Sequence, residues 1–189
     1  MAHELPEHKD DNSIFKIAMN LTAACFLSGV IISGTYAVTA PVAAQESIKL
    51  KNQAMQDLID ADSFKAVEGK VDWYAAIKDG KIIAYVVPAE SKGYGGTIKM
   101  VAAVSPDGKA IDYKILSHNE TPGLGDKAGG DKFRKQFAGK NANALEVVKT
   151  PTDKNIQALT GATITSRAVT KGIKEAVEQV AAYSASQNK

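Results

Sequence analysis

The sequence predicts an α+β domain, an antiparallel sheet with packed helices, carried behind a single N-terminal transmembrane helix. Three observations predict it: an uncharged apolar run near the start, two Asp-Gly turns between apolar segments, and an apolar repeat of three or four residues at the end. The chain has 189 residues, room for one domain of ordinary size and a smaller element. Its 44% hydrophobic and 23% charged content is close to a globular average and excludes wholesale disorder. With 23 basic and 21 acidic residues no polycationic face is implied, so nucleic acid is not an expected partner. A lone Cys25 excludes an intrachain disulfide or a CxxC metal site and reads as a small apolar filler. The histidines, His3, His8 and His118, are scattered, and no metal centre is expected.

The apolar run comes first. No charged residue lies between Lys16 and Glu46, and residues 17–40 supply the roughly 20 apolar positions that a bilayer core requires of a helix. Asn20, Thr22, Ser28 and Ser33 interrupt it, but hydroxyls can bond back to helix carbonyls. The alternative is a cleaved signal peptide, with small residues at Val42, Ala43 and Ala44. Against it stand Glu4, Glu7, Asp10 and Asp11 beside only Lys9 and Lys16, a poor basic leader, and an apolar stretch that is long for a signal. Both readings send the rest of the chain across the membrane. Flanking lysines, Lys9 and Lys16 against Lys49 and Lys51, do not set the orientation.

From Glu46 to about Val67, apolar residues at Ile48, Ala54, Met55, Leu58 and Ile59 have helical spacing, which predicts an amphipathic linker helix. Asp79-Gly80 and Asp107-Gly108 then predict two hairpins, since Asp-Gly accepts the positive φ angles of tight primed turns. Ile98, Met100 and Ala102, and then Ile111, Tyr113 and Ile115, are each expected to share a face. Four strands are expected between Val71 and Leu116, interrupted by the loop at residues 91–96. A glycine-rich stretch spans residues 118–130, and Asp131 is expected to cap a short helix carrying Phe133 and Phe137. Val169, Ile173, Val177 and Val180 mark one buried face of the final helix. The expected organisation is a cytoplasmic tail (1–16), transmembrane helix (17–40), linker (41–67) and extracytoplasmic domain (68–189).

Two segments can carry chemistry. Thr160, Gly161, Ala162, Thr163, Ile164, Thr165 and Ser166 open the last helix, and a helix start attracts anions, phosphate among them. The plain structural reading is that Thr165 or Ser166 caps the helix. No Gly-Lys-Ser/Thr follows, which disfavours a nucleotide-hydrolysing loop. The second segment is His118, Asn119, Glu120, Thr121, Pro122, Gly123, Leu124, Gly125, Asp126 and Lys127. Its proline and glycines predict a tight loop whose amides face a ligand and whose Leu124 supports a planar ring; the plain reading is a connecting turn. His118 and Glu120 alone are a weak metal signal.

Together, HNETPGLGDK and LTGATITSRAVTKGIKEAV resemble the covalent flavin-binding domain of the Rnf complex G subunit, and the related C subunit of sodium-pumping NADH:quinone reductase. The resemblance covers the whole layout: tail, membrane helix, extracytoplasmic domain and both motifs in order. It implies FMN joined through its phosphate to the hydroxyl of Thr165, with Thr163 the earlier, unmodified hydroxyl, installed by a separate flavin transferase. It places Glu120, Thr121, Pro122, Gly123, Leu124 and Gly125 against the isoalloxazine, and Lys127 at its polar edge. Relatives often have an acidic residue where this chain has Gln157, with Asp153 upstream as a substitute. The function implied is electron relay within an inner-membrane ferredoxin:NAD oxidoreductase coupled to sodium or proton transport, with the other subunits as partners. No catalysis is expected from the isolated chain. The quinone-reductase subunit is the second reading, and a cofactor-free tethered binding module or a stand-alone flavoprotein reductase are rivals of different class.

Overall fold

A computed structural model describes residues 14–187. The chain divides into two compact units, one ending at Ile48 and one beginning at Lys49. Helix α1, Ile14–Leu58, contributes to both. Its first part is the one helix among the described residues long and apolar enough to cross a membrane. Phe26, Ile31, Ile32 and Val38 there are exposed, as side chains meant for an apolar surrounding would be. The hydroxyls of Thr22, Ser28 and Thr35 donate to the carbonyls of Ala18, Ala24 and Ile31, each at 2.8 Å, so they bring no unpaired donor into an apolar medium. Residues 1–13, with most of the expected tail, lie outside the described residues.

The second unit is built on a five-stranded antiparallel meander in the order β1 to β5: β1 Ser63–Ala66, β2 Tyr74–Lys78, β3 Lys81–Lys92, β4 Thr97–Val104 and β5 Ala110–Ser117. Both Asp-Gly pairs lie in hairpin connections, but only the first has the expected tight primed form, with Asp79 at φ +50° and Gly80 at φ +72°. Of the second pair Gly108 alone has a positive φ, +76°, within the longer connection 105–109. The stretch at residues 91–96 does not interrupt the sheet; its first two residues extend β3 and Gly93–Gly96 closes the β3–β4 hairpin. The linker helix is shorter than its spacing suggests. It ends at Leu58, and Ser63–Ala66 pairs with β2 as a fifth, edge strand. Its alternation is too short to register against the helical spacing before it.

Helix α2, Asp131–Arg134, follows a 3-10 turn, and two more 3-10 turns lead to a small parallel pair, β6 Val147–Val148 and β7 Ile156–Gln157. Asp131 is not the cap: Gly130 occupies that position, and Asp131 instead faces Arg134 at 3.5 Å. Helix α3, Thr163–Gln187, closes the chain.

The sheet is buried on both faces. Val169, Ile173, Val177 and Val180 of α3, all at most 1% exposed, pack with Phe133, Phe137 and Tyr113 on one face, where Ile98, Met100 and Ala102 point. The end of α1 covers the other: Ala54, Met55 and Leu58 lie on Ala76, Ala84, Val86, Val101 and Ala103. Alanine at three of these sheet positions lets the helix approach closely. Ile111 does not share a face with Tyr113 and Ile115. The register slips between Ala103 and Val104, and this bulge turns Ile111 to the α1 side.

Candidate functional site

The two glycine- and threonine-bearing segments meet in space. The loop leaving β5 and the first turn of α3 form the walls of a cleft of about 500 Å³, with Tyr94 of the β3–β4 hairpin at its rim. That volume suits a small organic ligand. Glu120, Thr121, Leu124, Gly125, Gly161, Ala162, Thr163 and Thr165 all line it. Leu124, Ile164 and Tyr94 present exposed apolar surface around the opening.

At the floor, Thr165 donates its hydroxyl hydrogen to the Glu120 carboxylate, and the two residues are 2% and 5% exposed. The same carboxylate accepts the N–H of Gly95 at 2.9 Å and of Tyr94 at 3.3 Å. One side chain therefore ties the hairpin, the loop and α3 together. Burial pushes the Glu120 carboxyl up, but the bonds from Thr165, Gly95 and Tyr94 and the nearby His118 together hold it below the usual carboxylate range. His118 Nδ1 accepts the backbone N–H of Glu120 at 3.1 Å, which helps to set the course of the loop.

Glycines make this closeness possible. A Cβ at Gly125 would lie 2.8 Å from Thr165 Oγ1, and one at Gly95 only 1.9 Å from the Asn119 carbonyl oxygen. Gly161, at φ +78°, turns the chain into α3. Neither Thr165 nor Ser166 caps α3, which begins at Thr163. Ser166 instead accepts the Leu159 N–H and donates to the Ala162 carbonyl, both at 2.9 Å, stitching the preceding turn to the helix. The N–H groups of the first turn of a helix lack intrahelical partners, which leaves α3 a donor set for an anion at the cleft.

One expectation about the loop is corrected. The amides of Leu124 and Gly125 do not face a ligand; both turn inward to the Thr121 carbonyl, at 3.2 and 3.0 Å. The loop is thus self-supported, with Pro122 and Gly123 exposed at its tip and Leu124 offered as an apolar surface. Thr160 and Lys127 line a neighbouring cleft of about 280 Å³ with Lys132, Gln136 and Gln157. Gln157 is exposed, and its backbone is clasped by the Gln136 amide, which accepts its N–H at 2.7 Å. The Asp153 carbonyl accepts from Lys140 Nζ at 2.5 Å. Sequence reasoning missed Tyr94, Gly93 and Gly95, whose only signal was a glycine-rich tetrapeptide in a hairpin.

The residues present fit a flavin phosphate: a hydroxyl at the floor, a helix start beside it, apolar surface around the mouth, and a volume in the right range. The FMN-binding domain family matches residues 93–178, a span that includes the hairpin, the loop and the start of α3. The chain is 61% identical over 181 residues to the G subunit of the proton-translocating ferredoxin:NAD(+) oxidoreductase complex of Clostridium ljungdahlii, covering 95% of this chain and 98% of that protein. It is 31% identical to the G subunit of the Na(+)-translocating complex of Acetobacterium woodii, covering 87% and 90%. The crystal structure of Shewanella oneidensis NqrC is similar in fold, with a TM-score of 0.51 at 22% identity over 68% of this chain and 74% of that one.

Proposed function

This chain belongs to the G-subunit family of Rnf-type ion-translocating ferredoxin:NAD oxidoreductase complexes, and we propose that it is the membrane-anchored flavin carrier of such a complex, with FMN esterified to Thr165. The observation that carries the reading is the Thr165 hydroxyl, held at the floor of the cleft beside the start of α3. The flavin supplies reversible electron transfer between neighbouring subunits; the chain's own residues bind and orient it. Thr165 would tether the phosphate, the first-turn amides of α3 would stabilise its charge, and Leu124, Ile164 and Tyr94 would offer apolar surface to the ring system. Glu120, Thr121, Pro122, Gly123 and Gly125 shape the loop wall, and Thr160, Gly161, Ala162, Thr163 and Ser166 shape the α3 side. Lys127 lines the neighbouring cleft and not this one, and its long side chain would have to cross over to meet the polar edge of the ligand.

The domain works on the extracytoplasmic side, anchored by the apolar part of α1 in the cytoplasmic membrane. Covalent attachment suits that location. A dissociated flavin would be lost to dilution, whereas a tether keeps its effective concentration high. A separate flavin transferase installs the ester and accepts Gln157 where relatives often have an acid. The coupled ion is sodium or a proton, and the other subunits of the complex are the electron-transfer partners. The likeness to NqrC rests on fold at 22% identity and does not favour the quinone-reductase subunit.

The test is direct. Purified from cells that contain the transferase, the denatured chain gives a fluorescent band on a gel, and peptide mass mapping finds the FMN adduct on the peptide holding Thr165. Thr165→Val gives a dark band with an unchanged fold. Flavin surviving denaturation in that variant sinks the assignment, and a dark wild-type band sinks the carrier reading in favour of a cofactor-free module.

A further inference from the structure

We propose that Glu120 is the proton acceptor for the chain's own flavin loading. Its carboxylate takes the Thr165 hydroxyl proton as the phosphoester forms, and the inference rests on the carrier reading above. The step balances without redox change. Thr165 Oγ1 attacks the flavin-bearing phosphorus of a flavin pyrophosphate donor, and a new Oγ1–P bond forms. The bond from that phosphorus to the bridging oxygen breaks, and its electron pair leaves with the departing nucleoside monophosphate. The Thr165 proton passes to Glu120, and from there to the open cleft.

Three features carry the proposal. First, the hydroxyl points its hydrogen at the carboxylate, which leaves the oxygen lone pairs for attack. Threonine is a poor nucleophile unless a base lies within hydrogen-bond reach, and Glu120 supplies that geometry. Second, the base is fixed and ionised. Gly95 and Tyr94 hold the carboxylate by their N–H groups, and these bonds favour its charged form. Third, the carboxylate is not held in a salt bridge that would quench its basicity. Among the described residues no lysine or arginine forms an ion pair with Glu120, although it is only 5% exposed. Its partners Thr165, Gly95 and Tyr94 are all donors, so Glu120→Gln, with one accepting oxygen, loses part of the tie as well as the base, and Glu120→Asp is the variant that separates the two. The absence of side chains at Gly93 and Gly125, where a Cβ would lie 2.4 and 3.0 Å from the Glu120 oxygens, keeps the pair in contact.

The experiment loads the full-length chain in detergent with purified flavin transferase and flavin adenine dinucleotide, and follows adduct formation by intact mass. Glu120→Gln is expected to slow loading by about 100-fold or more while keeping a cooperative melt. Glu120→Asp, which restores a carboxylate one methylene shorter, is expected to recover loading to within about tenfold of the wild type. Loading of Glu120→Gln at the wild-type rate overturns the proposal, as does an equal loss in the Gln and Asp variants, which marks a structural tie only. Should Glu120→Gln fail to fold, Glu120→Asp decides alone: loading within about tenfold of the wild type supports the proposal, and loading slowed by about 100-fold or more overturns it. A wild-type chain that acquires no adduct at Thr165 defeats the carrier reading and this proposal together, whereas a loaded wild type with an unaffected Glu120→Gln defeats this proposal alone.

Discussion

Glu120 makes the same contacts that define the cleft, so its ionisation is coupled to stability. Its folded carboxyl lies below the unfolded value of about 4.3. In acid the unfolded chain therefore binds the extra proton, and the stabilisation from Glu120 is present above that value and lost as pH falls through the folded one. Urea midpoints measured against pH will show a drop below about pH 4.3 that is shallower in Glu120→Gln. Gly95 is the other residue on which the site depends. A methyl group there meets the Asn119 backbone oxygen at 1.9 Å, and backbone cannot rotate away as a side chain can. Gly95→Ala will cost roughly 1–3 kcal/mol in denaturant unfolding and loosen the hairpin from the loop.

The elements position the site through a few buried bonds. Tyr113 of β5 donates its hydroxyl to the Ala128 carbonyl at 2.5 Å, from within the core, and burial pushes its phenol far up. That bond fastens the 3-10 turn that follows the cleft loop to the sheet. Tyr113→Phe leaves the carbonyl unpaired and will lower stability by about 1–2 kcal/mol, read from a thermal melt. The Asp112–Arg134 pair, with Arg134 Nε 3.1 Å from Asp112 Oδ1, does the same for α2 from the outer surface of the domain. The site is thus held by β5 and α3; one cleft wall is a loop and the other is the first turn of α3.

At the scale of the whole molecule, both faces of the sheet are covered by residues from Ala54 onward, and the apolar part of α1 contributes to neither core. A chain beginning at Lys49 will therefore be water-soluble and melt cooperatively, at a temperature within a few degrees of the full-length chain in detergent. Loss of the cooperative transition in scanning calorimetry would mean that the membrane segment is needed for folding.

Much of this was legible in the sequence because it depends on local chemistry. Asp79-Gly80 needs no tertiary help to specify a tight turn, the uncharged run announces a helix long and apolar enough to cross a membrane, and the valine and isoleucine spacing of α3 marks its buried face. The two segments that line the cleft were also visible as motifs, since glycine and hydroxyl residues at a helix start carry their own physical meaning. The tertiary structure decided what depends on register and distance. The bulge that turned Ile111 over, the edge strand after Leu58, and the inward-facing amides of Leu124 and Gly125 follow from pairings that no local pattern encodes. The meeting of Glu120 with Thr165 is the clearest case. They stand 45 residues apart, and only the packing of α3 against the sheet brings one residue's hydroxyl to the other's carboxylate.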